Sequence, residues 1–374
     1  MINEFFIIVQ AADSAAFHCL HPHYCSLGLL FSTPSSEFSI FNSQFSTPFK
    51  ALNINLSIDK LLSIKSLMKP KSAKLLTIVI LLFSFSIHIQ AFADDPPKVL
   101  IVTAHPDDDA VFAATNYKIV HDLGGIVDLA LVTNGEGGYK YSTLAESIYG
   151  LELTEEDIGR KHLPAIRQKE LEEGGKIIGI RNYYYLNQKD HRYVTSADIH
   201  EILDSNIWDL DYVRNYLKDL IEREKYDHVF VLSATPGTHA HHSSSSILSL
   251  QAIEMLPPDE RPVVLAGSSS RKSDTVNFVY RGFEGYPITN VTDTIPFTFD
   301  RTAKFGFRDA LDYKIIVNWL IAEHKSQGTM QLLMNQGDYE NYWYFDINDP
   351  TKKQKTAELF EKLKVNNFKV KEYK

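Results

Sequence analysis

The chain predicts an α/β fold: a mostly parallel central sheet covered by helices on both faces, in three layers. Three observations carry this prediction. From Lys98 onward, apolar strand-like runs alternate with helix-like stretches. The runs "KVLIVTA" and "DHVFVLS" are apolar throughout rather than in alternation, as strands buried on both faces are. The residues best suited to chemistry follow strand ends, where sheets of this kind bind ligands.

Taken in order, "KVLIVTA" is the first strand, and "DDAVFAATNYKIVHDLGG" follows as a helix with a glycine stop at Gly124 and Gly125. "IVDLALVTNG" is a second strand running into a glycine-rich loop. "LPAIRQKELEEGGKIIGI" reads as a helix with Pro164 near its first turn, and "NYYYL" as a short third strand. "DLDYVRNYLKDLIEREK" is an amphipathic helix. "DHVFVLS" is the fourth strand and leads into a loop, "ATPGTHAHHSSSS". "ILSLQAIEML" is a further helix and "PVVLAG" the fifth strand. Ser268 to Phe305 reads as strands or loops. "DALDYKIIVNWLIAEHKSQ" is a last helix before a polar, lysine-rich tail.

The region before this differs in kind. It has no Arg and is rich in Phe and Ser. Within it, Met68 precedes Lys69, Lys71 and Lys74, an apolar run spans Leu75 to Ile87, and Ala91-Phe92-Ala93 closes the segment. A basic end, a short greasy core and a small-x-small site make residues 68–93 a secretory signal peptide. The core is shorter than the ~20 residues of a membrane-spanning helix, so no stable span is expected after cleavage. Residues 1–67 are then an upstream extension from a misplaced start, and 94–374 the functional domain with a C-terminal extension. The expected location is periplasmic or extracellular. Both cysteines, Cys19 and Cys25, lie upstream, so the exported domain relies on its core rather than on disulfides. With 44% hydrophobic and 23% charged residues the chain is globular, and a net charge of −9 argues against a nucleic-acid partner.

"HPDDD" follows the first strand. Three adjacent carboxylates, Asp107, Asp108 and Asp109, repel one another unless a cation sits among them. Helix capping accounts for one or two of them, but needs neither the third nor His105. After the fourth strand, "THAHH" places His239, His241 and His242 within four residues. Imidazoles and a carboxylate around an open position suit a catalytic zinc, and are compatible with other divalent metals.

"AHPDDD", "LVTNGEGG", "RQKELEEGGKIIGI", "HAHH" and "AEHKSQ", in that order over residues 98–330, resemble the PIG-L/LmbE-like zinc-dependent N-deacetylase family. The resemblance implies a Rossmann-like three-layer sandwich and hydrolysis of the acetamide of an N-acetylglucosamine-type sugar or conjugate. By position it makes His105, Asp108 and His242 the metal ligands, Asp107 the general base and His239 the group facing the oxyanion. Arg167 becomes a candidate contact for substrate hydroxyls. Asp190 and Asn134 are also placed at the substrate, though Asp190 is equally readable as a turn aspartate. Asp109 stands where the family usually has Glu, and His241 where many members have Asp. His324 reads as a packing residue unless the resemblance holds.

Elementary chemistry agrees with these roles. A zinc ion lowers the pKa of its water toward ~7 and polarises the carbonyl, a free carboxylate takes the proton, and a histidine stabilises the oxyanion. Two other functions stay open on the sequence alone: a carbohydrate-binding protein of the same fold without turnover, and a metal-dependent phosphoesterase. A nucleotide-binding dehydrogenase is disfavoured, because the first strand leads into His-Pro-Asp rather than a glycine-rich phosphate loop.

Overall fold

Five apolar runs become five parallel strands: β1 (Lys98–Thr103), β2 (Ile126–Thr133), β3 (Ile180–Gln188), β4 (His228–Leu232) and β5 (Val263–Ser270). They line up as β3-β2-β1-β4-β5. β1, β2 and β4 are buried almost end to end, and the edge strand β3 is largely not, which is why its sequence mixes Tyr, Asn and Arg with Ile and Leu. Two antiparallel strands complete the sheet. β6 (Phe297–Asp300) forms the far edge, and β7 (Tyr339–Tyr344) lies between it and β5.

These strands and the helices around them belong to a computed structural model that describes residues 28–32, 37–41, 95–192, 196–274 and 279–365. The chain divides into two units, Met1–Asp94 and Asp95–Lys374. In the first, Gly28–Ser32 pairs antiparallel with Glu37–Phe41. The leader expected at 68–93 lies outside the described residues. Among the described residues no helix is long and apolar enough to cross a membrane.

Alternation along β1 splits the core into two layers. Val99 and Ile101 face α1 (Ala113–His121), α2 (Glu156–Ile178), α5 (Lys314–Glu323) and α6 (Lys353–Lys364), with α3 (Leu210–Glu224) and α4 (Ala240–Glu254) against Leu100 and Val102. α3 shows why such helices form. Asp209 accepts from Tyr212 N–H at its start, and Val213, Leu217, Leu220 and Ile221 make one buried stripe. Each such Leu or Ile, fully buried, is worth about 1.5–3 kcal/mol. Gly175 on α2 permits close approach to β3, since a Cβ there would stand 1.7 Å from the Tyr183 hydroxyl.

The structure corrects four element boundaries. The first helix is preceded by a separate 3₁₀ turn, Asp108–Val111, and starts at Ala113. α2 begins at Glu156, so Pro164 lies inside it and leaves the Arg160 carbonyl without its intrahelical donor. α4 begins at Ala240, so His241, His242 and the serine run are helical. Ser245, Ser246 and Ser249 return their hydroxyls to helix carbonyls, which lets a polar run sit buried in a helix. The polar tail is the largest miss: it contains strand β7 and helix α6. β7 reads as polar because Glu340 and Asn341 are buried by pairing rather than by apolarity.

Parallel strands to either side of β1 leave in opposite directions, so the carboxyl ends of β1 and β4 border the crevice where chain order reverses. The His105 segment follows β1, and the His239–His242 segment follows β4.

Candidate metal centre and active site

His105 lies in the sharp turn after β1, and Asp108 is the first residue of the 3₁₀ turn that follows. Asp108 Oδ2 accepts the backbone N–H groups of Ala104 and His105 at 3.1 and 2.7 Å. This fixes the carboxylate and leaves Oδ1 facing His242 Nε2 at 3.0 Å. His242 reaches the same point from the first turn of α4, and its Nε2 lies 3.0 Å from His105 Nδ1. Two residue segments more than a hundred positions apart therefore meet at one place. The ligand atoms of His105, Asp108 and His242 all lie within 4.8 Å of one another. Neighbouring ligands of one tetrahedral ion stand about 3.3 Å apart, so two imidazoles and an anchored carboxylate at these separations fit a divalent cation.

For Nδ1 of His105 to be a ligand its lone pair must be free, which puts the ring proton on Nε2. That nitrogen is 3.0 Å from His241 Nδ1, so His241 fixes the ring's tautomer and orientation, the task of an outer partner at a metal site. His239 is the N-cap residue of α4 and stacks on His105 with centroids 5.1 Å apart. Burial lowers its pKa to about 4, so the ring is neutral at neutral pH and carries an N–H donor.

Asp107 stays outside the ligand set. Burial and the adjacent Asp108 raise its pKa, against the pull of His324 and Arg167. With its amide nitrogen turned to the carboxylate, Gln327 donates to both oxygens of Asp107 at 3.0 and 3.3 Å. Asp109 is fully buried and pairs with His324 Nε2 at 3.0 Å. Burial raises the pKa of Asp109 against the pull of His324, while the Asp109 carboxylate raises that of His324 against its own burial. His324 is thus tied to the HPDDD turn rather than being a simple packing residue.

The remaining expected residues divide. Asp190 lines the same cavity, about 460 Å³ in volume, with His105, Asp107, Asp108, His239 and His242. Its Oδ2 accepts from Gly137 N–H at 3.0 Å, and burial pushes its pKa up to about 7 despite Arg167. Arg167 also borders the cavity, but it is 3% exposed and donates to the carbonyls of Gly135, Gly138 and Ser326. It therefore pins the glycine-rich loop, where Gly135 takes φ +70° against Pro106. Glu170, one helical turn on and equally buried, binds Tyr149 and Ser326. Asn134 is not among the cavity-lining residues; its backbone N–H goes to Gln188 O at 3.2 Å.

Sequence reasoning missed Gln327 and the wall formed by Tyr141, Thr329, Met330 and Leu333. Gln327 was within view, three residues after His324 in "AEHKSQ". The apolar wall carries no chemical signal of its own.

Residues 100–253 match the model of the family described as PIG-L, GlcNAc-PI de-N-acetylase. The chain carries a PIG-L domain. A probable N-acetyl-alpha-D-glucosaminyl L-malate deacetylase 2 from Bacillus cereus is 24% identical over 178 residues, 48% of this chain and 70% of that protein. Among solved structures, an N,N'-diacetylchitobiose deacetylase from Pyrococcus horikoshii aligns at 18% identity and TM-score 0.41, over 68% of this chain and 88% of its own. A 4-carboxy-2-hydroxymuconate hydratase from Pseudomonas putida aligns at 12% identity and TM-score 0.41, over 66% and 95%. The matched stretch contains His105, Asp107, Asp108, Tyr141, His239 and His242, whereas His324, Gln327, Thr329, Met330 and Leu333 lie beyond residue 253.

Proposed function

We propose that this protein is a divalent-metal N-deacetylase acting on an acetamido sugar or its conjugate, with zinc as the favoured ion. One observation carries the reading: a carboxylate, Asp107, stands in the cavity beside the His105, Asp108 and His242 donor set, is kept out of that set, and is held by Gln327. Binding alone has no use for such a group. The PIG-L domain and its deacetylase relatives supply the substrate class.

The ion, when bound by His105, Asp108 and His242, supplies Lewis acidity to water and to the amide carbonyl. Asp107 takes a proton from the attacking water, a task suited to a carboxylate whose pKa is raised. The carbonyl carbon becomes tetrahedral, and the N–H of His239 donates to the developing oxyanion. Asp107 then returns its proton to the nitrogen as the C–N bond breaks, releasing acetate and a free amine. Asp190 accepts from or donates to a sugar hydroxyl. Arg167 and Gln327 act indirectly, by holding the glycine loop and Asp107.

The test is acetate release from a panel of N-acetylglucosamine derivatives by metal-loaded protein. Turnover that needs metal supports the reading. Saturable sugar binding without acetate supports a carbohydrate-binding protein instead, and phosphate release from simple esters supports a phosphoesterase. We further propose that residues 68–93 direct export and are removed, leaving 94–374 as the working protein. An intact mass of the exported product beginning elsewhere would overturn this.

A further inference from the structure

His105 presents two edges, and the structure builds a donor set on each. On the Nδ1 edge stand His242 Nε2 at 3.0 Å and Asp108, whose Oδ2 is 3.6 Å away. On the Nε2 edge stand His241 Nδ1 at 3.0 Å and Asp190 Oδ1 at 3.9 Å, with 3.4 Å between these two. Each edge therefore pairs one imidazole with one carboxylate. Each carboxylate is also anchored from behind, Asp108 by Ala104 and His105 N–H and Asp190 by Gly137 N–H.

We propose a second divalent-metal site on the Nε2 edge of His105, formed by His105, His241 and Asp190 with His239 beside them. His105, His239 and His241 bring ligand atoms within 4.8 Å of one another. Their ring centroids stand 5.1, 5.2 and 4.7 Å apart, close to the roughly 5 Å expected of imidazoles sharing one tetrahedral ion. The ligands are pre-positioned: His241 and Asp190 are each 4% exposed, and Trp208 packs on the His241 ring at 5.3 Å. Asp190 supplies the negative charge that imidazoles alone lack.

With both edges occupied, His105 bridges two ions, and its one ring N–H proton passes to solvent as the second nitrogen becomes a ligand. The anionic ring between the ions offsets their repulsion. Imidazole-rich ligation selects zinc, cobalt, nickel or copper over magnesium or calcium. Loading this site also removes Asp190 and His239 from the cavity, so the second ion is an inhibitor rather than a cofactor. The inhibition rests on the deacetylase reading; the site itself does not, because the evidence for it is metal stoichiometry.

The experiment is Co2+ titration of the full chain, followed by equilibrium dialysis and visible absorption, for wild type, His241→Ala and Asp190→Asn. Wild type is expected to take up one more equivalent than either variant, bound at least tenfold more weakly than the first and with its own absorption band. Sites elsewhere on the chain persist in all three proteins and cancel in the difference. Equal stoichiometry in wild type and the variants overturns the proposal. If His241→Ala fails to unfold cooperatively, Asp190→Asn and His239→Asn give the same difference, and their retention of every equivalent overturns it as well.

Discussion

Replacing Arg301 by Leu should destabilise the domain and loosen the HPDDD turn together. Arg301, 3% exposed, donates from Nη2 to the carbonyls of Ala110 and Val111 at 2.6 and 3.0 Å and from Nε to Glu340 at 2.8 Å. Glu340, fully buried, accepts the N–H groups of Ala114 and Thr115, both at 2.9 Å, where α1 has no side-chain cap of its own. Removing one partner of a buried pair leaves a lone charge and costs about 3–5 kcal/mol. At about 2–4 °C per kcal/mol, the midpoint should fall by roughly 6–20 °C. Adding Glu340→Gln removes that lone charge, so Arg301→Leu with Glu340→Gln should regain at least about 1 kcal/mol over Arg301→Leu alone. Urea unfolding with unchanged m-value measures each step. Because Ala110 lies two residues after Asp108, Arg301→Leu should also weaken the first metal equivalent in a chelator competition. A loss under about 1 kcal/mol, or simple additivity of the two substitutions, would refute the clamp.

Three further outcomes follow from the same structure. Asp107→Asn should lower turnover about 10²–10⁴-fold, the usual worth of general acid–base catalysis, while metal content, read by emission spectroscopy, stays at the wild-type level. His228 is fully buried with its pKa lowered by that burial to about 4, below the ~6.5 of the unfolded chain; the unfolded state therefore binds the extra proton between these values, and stability should fall by about 3 kcal/mol as pH drops from 6.5 to 4, a slope that His228→Leu should flatten in pH-dependent urea unfolding. Gly267→Ala would put a Cβ 2.1 Å from Phe112 Cε1, so it should cost about 1–3 kcal/mol through overpacking, visible as a lower thermal midpoint.

The parallel half of the fold was legible because a strand buried on both faces must be apolar along its length, as Val99 to Val102 are. What escaped was held by polar pairing. β7 hides Glu340 and Asn341 in buried hydrogen bonds, and α4 absorbs four consecutive serines, so neither looks like core. At the site, residue type and place after β1 and β4 drew attention to two clusters, His105 with Asp107–Asp109 and His239 with His241 and His242, and the structure brings the two together. The environment that sets Arg167 to hold a loop, and that pairs Asp109 with His324, arises from segments far apart in sequence. No local pattern encodes it, and Gln327 illustrates the same limit: its side chain acquires a task only once α5 has carried it over Asp107.

The position of β7 has a consequence for how the protein comes into being. A ribosome delivers residues 98–270 first, with the β5 edge still bare and inviting association with other chains. The strand that covers this edge, and the Glu340 that steadies the HPDDD turn through Arg301, arrive almost last. The nascent polypeptide thus closes its sheet and braces the HPDDD turn only once the last strand has been made.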